Sequence, residues 1–168
     1  SWKVSIMRHG LGFEHPLCDK LQLPMILLFF VIWGIDTLSF FVFEFSTVII
    51  EVLSLPVLFV GTIIFLFLSF YLVSKSHKAV LEQVHDPPQL VDSGVYAWIR
   101  HPMYLGTLLF CLSFLFISVS LAATVFWIAF FIFYDRMATY EEKSLAEILG
   151  ESYIAYQKRV SKWFPGIF

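Results

Sequence analysis

Charge is scarce in this chain: only 14% of its 168 residues are Asp, Glu, Lys or Arg, and the formal net charge is −2. No basic run suits a duplex or a single strand, so nucleic acid is not an expected partner. Cysteine is scarcer still. Cys18 and Cys111 stand alone, without a C-x-x-C pair for metal or redox work. H-E-x-x-H, G-x-S-x-G and G-x-x-x-x-G-K-[ST] are all absent, which removes the usual zinc, serine-nucleophile and phosphate-loop chemistries. His77 and His85 have no partner at a ligand spacing, so no metal is expected. His9-Gly10-Leu11-Gly12 has neither a strand before it nor a third glycine after it, and is no dinucleotide fingerprint. Lys3, Arg8, Glu14, Asp19 and Lys20 interrupt any apolar core before residue 21, so no secretory signal pattern is read there.

What fills the chain instead is apolar. With 59% hydrophobic residues, 19% aromatic residues and a mean hydropathy of +0.81, it reads as an all-α integral membrane protein. Crossing about 30 Å of hydrocarbon takes about 20 apolar residues, and about four such segments fit. A polar arm over 1–20 precedes two spans within 21–73. The first, Leu21 to Phe45, carries Asp36 and Glu44 near its far end; the second starts at Val48 or Val52 and has Pro56 in its first half, where it either kinks the helix or sits near its start. Residues 74–101 form a connector, polar from Lys75 to Gln89. Met103 to Asp135 is apolar for about 33 residues, long for one helix and short for two, and is read as a tight hairpin turning near Ser118 to Leu121 within 102–135. In the last segment, 136–168, Leu145, Leu149, Tyr153, Tyr156 and Val160 recur at helical spacing, with Gly150 as a weak point and Phe164-Pro165-Gly166 as the end. The whole is a single membrane domain.

Four spans place all eleven Lys and Arg residues on one face. Because positive residues collect in cytoplasmic loops, both termini and the polar site are expected on the cytoplasmic side. That topology brings Leu90–His101 beside Arg136–Glu142.

The stretch LVDSGVYAWIRHPMYLG, Leu90 to Gly106, carries most of the local signals. Asp92-Ser93-Gly94 is turn chemistry. His101 precedes a proline and is biased out of helical geometry, whereas Pro102 suits the first turn of a new helix. A break at His101 therefore opens a helix start able to face an anion. Arg100, His101, Tyr96, Tyr104, Arg136, Glu141 and Glu142 converge there, a set that serves either a binding or catalytic site or an ordinary interface belt.

SGVYAWIRHPMYLG, followed about 35 residues later by Glu141-Glu142 and then by LGESYIAYQKRVSKWFP, resembles the isoprenylcysteine carboxyl methyltransferase family and its phospholipid methyltransferase relatives. The resemblance covers about Leu90 to Pro165. It implies a membrane methyltransferase that uses S-adenosylmethionine without a Rossmann fold and acts on a lipid-like or prenylated acceptor among membrane lipids. By that likeness Gln89, Leu90, Val91, Tyr96, His101, Pro102, Met103, Tyr104 and Glu141 contact the cofactor; Arg136 binds substrate; Arg136, Glu141 and Glu142 are catalytic. Two departures stand out. Pro88-Gln89 replaces a polar pair often led by His, and Arg136 lies five residues before Glu141 where the family has four, which on a helix turns it by about 100°. Either the helix is distorted there or the substrate differs.

A carboxylate acceptor is already ionised at neutral pH and needs only an orienting cation, whereas an amine or thiol must lose a proton, for which Glu141 or Glu142 could serve as base. Carboxyl O-methylation of a prenylcysteine-like acid is the first reading. Phospholipid N-methylation or small-thiol S-methylation comes second, and an NADPH-dependent sterol-type reductase, which shares a related C-terminal region, is more distant.

Overall fold

The computed structural model of the chain describes residues 16–43, 54–82, 90–118 and 120–166. The expectations that fall on residues 1–15, on Glu44, Val48 and Val52, on His85 to Pro88 and on Gln89 lie outside them. The described residues are helical, with one isolated parallel bridge between Ile99 and Ser161. The order is α1 (Pro16–Phe43), α2 (Leu55–Glu82), a 3-10 turn (Gly94–Ala97), α3 (Pro102–Ile117), α4 (Leu121–Leu149) and α5 (Glu151–Arg159).

Three of these helices hold stretches long and apolar enough to cross a membrane, Lys20–Ser39, Leu55–Ala79 and Leu121–Leu149, while α3 is a shorter apolar helix. Phe59, Phe67 and Phe70 on α2 are more than 60% exposed, as a lipid-facing surface requires. The protein is an integral membrane protein, with four apolar helices among the described residues, as the composition predicts.

Pro56 falls in the first turn of α2, where its missing N–H breaks no ladder. The polar stretch after Val73 is not all connector. With no Gly or Pro before Pro87 and with Lys, Ala and Leu favouring helix, α2 runs on to Glu82; the polarity marks where it leaves the apolar layer. The hairpin turns where expected: α3 ends at Ile117, and Ser120 caps α4 by accepting the Ala123 N–H at 3.0 Å. The boundary expected at 135/136 has no structural counterpart. No Gly or Pro interrupts α4 before Gly150, and the helix carries its polar last third out of the apolar layer unbroken.

Close backbone approach holds the bundle together. α3 packs chiefly on α2, and at Gly106 an added Cβ would sit 2.7 Å from Val73 Cγ2 and 3.3 Å from the Ser69 carbonyl oxygen. Ser69 Oγ donates to the Gly106 carbonyl at 2.7 Å across the same contact, the small-residue packing that helices use where no water drives association. α1 joins through edge-on aromatic contacts, with Phe30 and Trp33 against Phe114 at 4.8 and 5.5 Å. Thr37 and Ser118 pair their hydroxyls at 2.6 Å.

Candidate active site

The site grows from the break before α3. His101 has φ −124° and ψ 59°, outside helical geometry, and Pro102 opens the helix; the first turn closes when the Leu105 N–H donates to the His101 carbonyl at 3.1 Å. Upstream, Gly94 takes φ 62° and starts the 3-10 turn, which shortens the path from Ser93 to Trp98 and sets Ile99 and Arg100 beside the C-terminal tail.

Glu142 gathers the polar groups. Its Oε1 accepts from His101 Nε2 at 2.9 Å and lies 3.3 Å from Arg100 Nη1, and its Oε2 accepts from Gln157 Nε2 at 3.3 Å. Because an ionised carboxylate only accepts, Nε2 carries the hydrogen in this arrangement. The other ring nitrogen, Nδ1, faces Glu141 Oε2 at 3.6 Å. The Arg100 and Glu142 side chains are 13% and 12% exposed, so this ion pair is shielded from water and coupled more strongly than a surface pair. Arg159 and Asp92, 67% and 46% exposed at 3.1 Å, form such a surface pair and contribute little.

Rings hold the imidazole. His101 stacks on Tyr104 at 5.7 Å and 5°, Tyr104 on Tyr134 at 4.7 Å and 13°, and Tyr134 on Phe130 at 4.6 Å, making a four-ring column from the polar cluster into the bundle. Trp163 closes a further side at 6.0 Å.

The tail after Gly150 straps this assembly. Gly150 at φ 60° separates α4 from α5 and lets the chain turn back. Tyr153, Tyr156 and Val160 then bury together against Leu90, Leu145 and Leu149. Tyr156 donates its hydroxyl to the Tyr96 carbonyl at 2.6 Å, and the Arg100 N–H donates to the Ser161 carbonyl at 2.9 Å. Burial pushes both phenols well above their ordinary value, with the Glu142 carboxylate adding to the effect at Tyr153 and Tyr96 adding to it at Tyr156, so both remain neutral. Farther on, Asp135 Oδ1 accepts from Lys162 Nζ at 2.6 Å and Trp163 Nε1 at 2.9 Å, and Lys162 also donates to Thr139 Oγ1 at 2.8 Å.

Of the residues singled out in the sequence, His101, Glu141 and Glu142 come together, with buried Pro102 and Tyr104 and half-buried Met103 at the start of the same helix. Leu90, Val91 and Tyr96 are half-buried in the preceding segment. Arg136 is exposed, and the cation beside Glu142 is Arg100. Since α4 is unbroken through 136–142, the six residues from Arg136 to Glu142 turn Arg136 about 120° away from the face that Glu142 presents. Gln157, Trp163 and the Asp135–Lys162 pair were not foreseen; helical spacing gives Gln157 a face but not what that face meets, and Lys162 and Trp163 lie beyond the end of α5.

The phospholipid methyltransferase family profile matches residues 49–152, more than half of the chain. The chain belongs to this family of methyltransferases. The mouse protein-S-isoprenylcysteine O-methyltransferase is 33% identical over 95 residues, covering 56% of this chain and 34% of the relative. The human protein of the same name is 33% identical over 98 residues, with the same coverage, and the fission yeast one, from Schizosaccharomyces pombe, 35% identical over 81 residues, 45% of this chain and 33% of the relative. The chain thus spans about a third of the length of the curated relatives it matches. A solved eukaryotic intramembrane Ras methyltransferase, isoprenylcysteine carboxyl methyltransferase, shares the fold with a TM-score of 0.62 at 22% identity, over 86% of this chain and 53% of that one.

Proposed function

We propose that this chain carries the site of an S-adenosylmethionine-dependent methyltransferase that esterifies the carboxylate of a prenylcysteine-like or other lipophilic acid. The observation that carries the reading is the joining of Arg100-His101 to Glu141-Glu142 across the start of α3, in a chain 33% identical to relatives named protein-S-isoprenylcysteine O-methyltransferase.

The residues fit the cofactor's chemistry. Arg100 brings to the cluster a guanidinium, paired through Nη1 with Glu142, that suits the carboxylate of an amino-acid moiety. Glu141 suits the ammonium of the same moiety, and Leu90, Val91 and Met103 offer apolar surface. Arg100, His101, Pro102, Tyr104 and Glu141 would hold the cofactor, together with Tyr96 from the preceding 3-10 turn and with Gln89, which lies outside the described residues. When bound, S-adenosylmethionine supplies a sulfonium methyl for in-line displacement.

This chain's own residues orient, shield and hold charge. The four-ring column keeps the imidazole fixed and water out of the cluster, the conditions under which positioning contributes most to rate. Glu142 fixes Arg100 and His101, and Arg136 orients the acceptor carboxylate from outside the cluster. Such an acceptor needs no general base; if it is an amine, Glu141 would be the base. The face holding these groups is cytoplasmic on the positive-inside argument.

The test is transfer of labelled methyl to an N-acetyl-S-farnesylcysteine acceptor by the purified full-length protein in lipid nanodiscs. Volatile label released by base is expected. Base-stable label on an aminophospholipid would replace this reading with N-methylation, and failure to bind S-adenosylhomocysteine would end both.

A further inference from the structure

The tail is fastened to α4 at a residue outside the Glu142 cluster. Asp135 Oδ1 accepts from Trp163 Nε1 at 2.9 Å and from Lys162 Nζ at 2.6 Å, and Lys162 also donates to the Asp135 carbonyl at 3.1 Å and to Thr139 Oγ1 at 2.8 Å. Phe131 and Asp135 lie one helical turn apart on the same face of α4. The Trp163 ring therefore rests on Phe131 at 5.3 Å while the carboxylate holds its N–H, and these two contacts of different kinds fix the orientation of the indole. So oriented, Trp163 is 9% exposed and its ring lies 6.0 Å from the His101 imidazole. Two residues earlier, Ser161 runs parallel to Ile99 and takes the Arg100 N–H on its carbonyl at 2.9 Å. Ser161 to Trp163 thus forms the outer wall of the Arg100-His101 segment, and Asp135 anchors that wall.

We propose that Asp135 is a positioning residue for cofactor binding: its bond to the indole N–H seats Trp163 against His101 and holds the tail closed over Arg100 and His101. The role rests on the reading of those two residues as part of an S-adenosylmethionine site, and Asp135 acts on them through Trp163. Its ion pair with Lys162 matters less to this role. The Asp135 side chain is 39% exposed, and a pair open to water on one side contributes little. The indole N–H is different, because its ring is buried and loss of the acceptor strands the donor. It can then find water only by lifting away from His101, and the tail moves with it. Molecules with the wall unseated bind cofactor poorly, so the apparent Kd rises as the seated fraction falls. Loss of one charge-assisted hydrogen bond reduces that fraction to about a tenth. Bound cofactor reseats the wall, so affinity suffers more than turnover at saturation.

The test is calorimetric titration of S-adenosylhomocysteine into the full-length protein in lipid nanodiscs, well below the melting point of each variant. Asp135→Leu should raise the Kd about tenfold. Asp135→Asn keeps an acceptor oxygen for the indole and should return the Kd to within about twofold of the wild type. Trp163→Phe keeps an apolar ring and the Asp135–Lys162 pair but removes the anchored N–H. It should match Asp135→Leu, and the two substitutions together should be no worse than either alone. Lys162→Met removes the ion pair and keeps the indole bond, so it should bind like the wild type while melting lower. If Asp135→Leu does not fold, Trp163→Phe against Lys162→Met makes the same comparison. Wild-type affinity in Asp135→Leu and Trp163→Phe, additive losses in their combination, or a loss in Lys162→Met as large as in Trp163→Phe would overturn the role and leave the cofactor reading standing. A wild type that does not bind S-adenosylhomocysteine would overturn the cofactor reading and this role with it.

Discussion

Removing Glu142 separates charge from shape at the centre of the cluster. Glu142→Met keeps an unbranched side chain but leaves the Arg100 guanidinium, 13% exposed, without its counter-charge, and takes the acceptor from His101 Nε2 and Gln157. Breaking a shielded pair by deleting one partner costs about 3–5 kcal/mol. In the double variant Arg100→Met/Glu142→Met no unpaired charge remains, and the loss reduces to two hydrogen bonds at about 1 kcal/mol each. At about 3 °C per kcal/mol for a domain of this size, the single variant should melt about 9–15 °C below the wild type and the double about 6 °C below. The assay is thermal unfolding of purified protein in nanodiscs, followed by intrinsic Trp fluorescence, with methyl transfer measured on the same samples. Both variants should be inactive, so stability would return without activity. A double variant as unstable as the single one would refute the claim that the Arg100 charge is held by Glu142.

Gly106→Ala puts a methyl 2.7 Å from Val73 Cγ2 and should cost about 1–3 kcal/mol, whereas Gly34→Ala, with nothing within 4 Å, should melt like the wild type. Tyr156→Phe removes the donor to the Tyr96 carbonyl; about 1 kcal/mol of stability should be lost, and the KM for cofactor should rise severalfold with kcat little changed. Because burial raises the Tyr156 phenol above its ordinary 10.0, folding holds that proton more tightly than the unfolded chain does. Its contribution is therefore complete below about pH 10 and is lost above it, so alkaline melting should erode the wild type more than Tyr156→Phe. Arg136→Gln should raise the KM for a carboxylate acceptor about tenfold while leaving binding of S-adenosylhomocysteine intact; unchanged acceptor kinetics would remove Arg136 from the site.

Local backbone chemistry was legible in the sequence because it depends on single residues. Pro102 after His101, Gly94 after Ser93 and Gly150 after Leu149 each announce a conformation that few other residues adopt, and each sits where expected. The hairpin was legible from length alone, since one helix over 102–135 would overshoot the membrane. Polarity misled where it was taken for the end of a helix: Lys75 to Glu82 are polar because they leave the apolar layer, and the backbone bonds continue. Side-chain partners were least legible. Nothing local to Trp163, Gln157 or Lys162 says that the tail folds back on Asp135 and Glu142, because those contacts join residues 15 to 28 positions apart across a glycine break.

The brevity of α3 sets a relation between this protein and the membrane it occupies. Its 16 residues rise about 24 Å, less than the roughly 30 Å of a typical hydrocarbon layer, while the neighbouring apolar stretch of α2 runs for 25 residues. His101 and Ser118 therefore cannot both reach the two aqueous boundaries of an undisturbed bilayer. Either the lipid thins around the hairpin or the polar cluster sits several ångströms below the headgroups, in a dent where a greasy molecule with one polar end reaches it without leaving the membrane. Bilayer thickness then becomes a quantity to which this protein responds: long acyl chains would bury the dent more deeply at a cost that grows with each ångström, and shorter ones would relieve it.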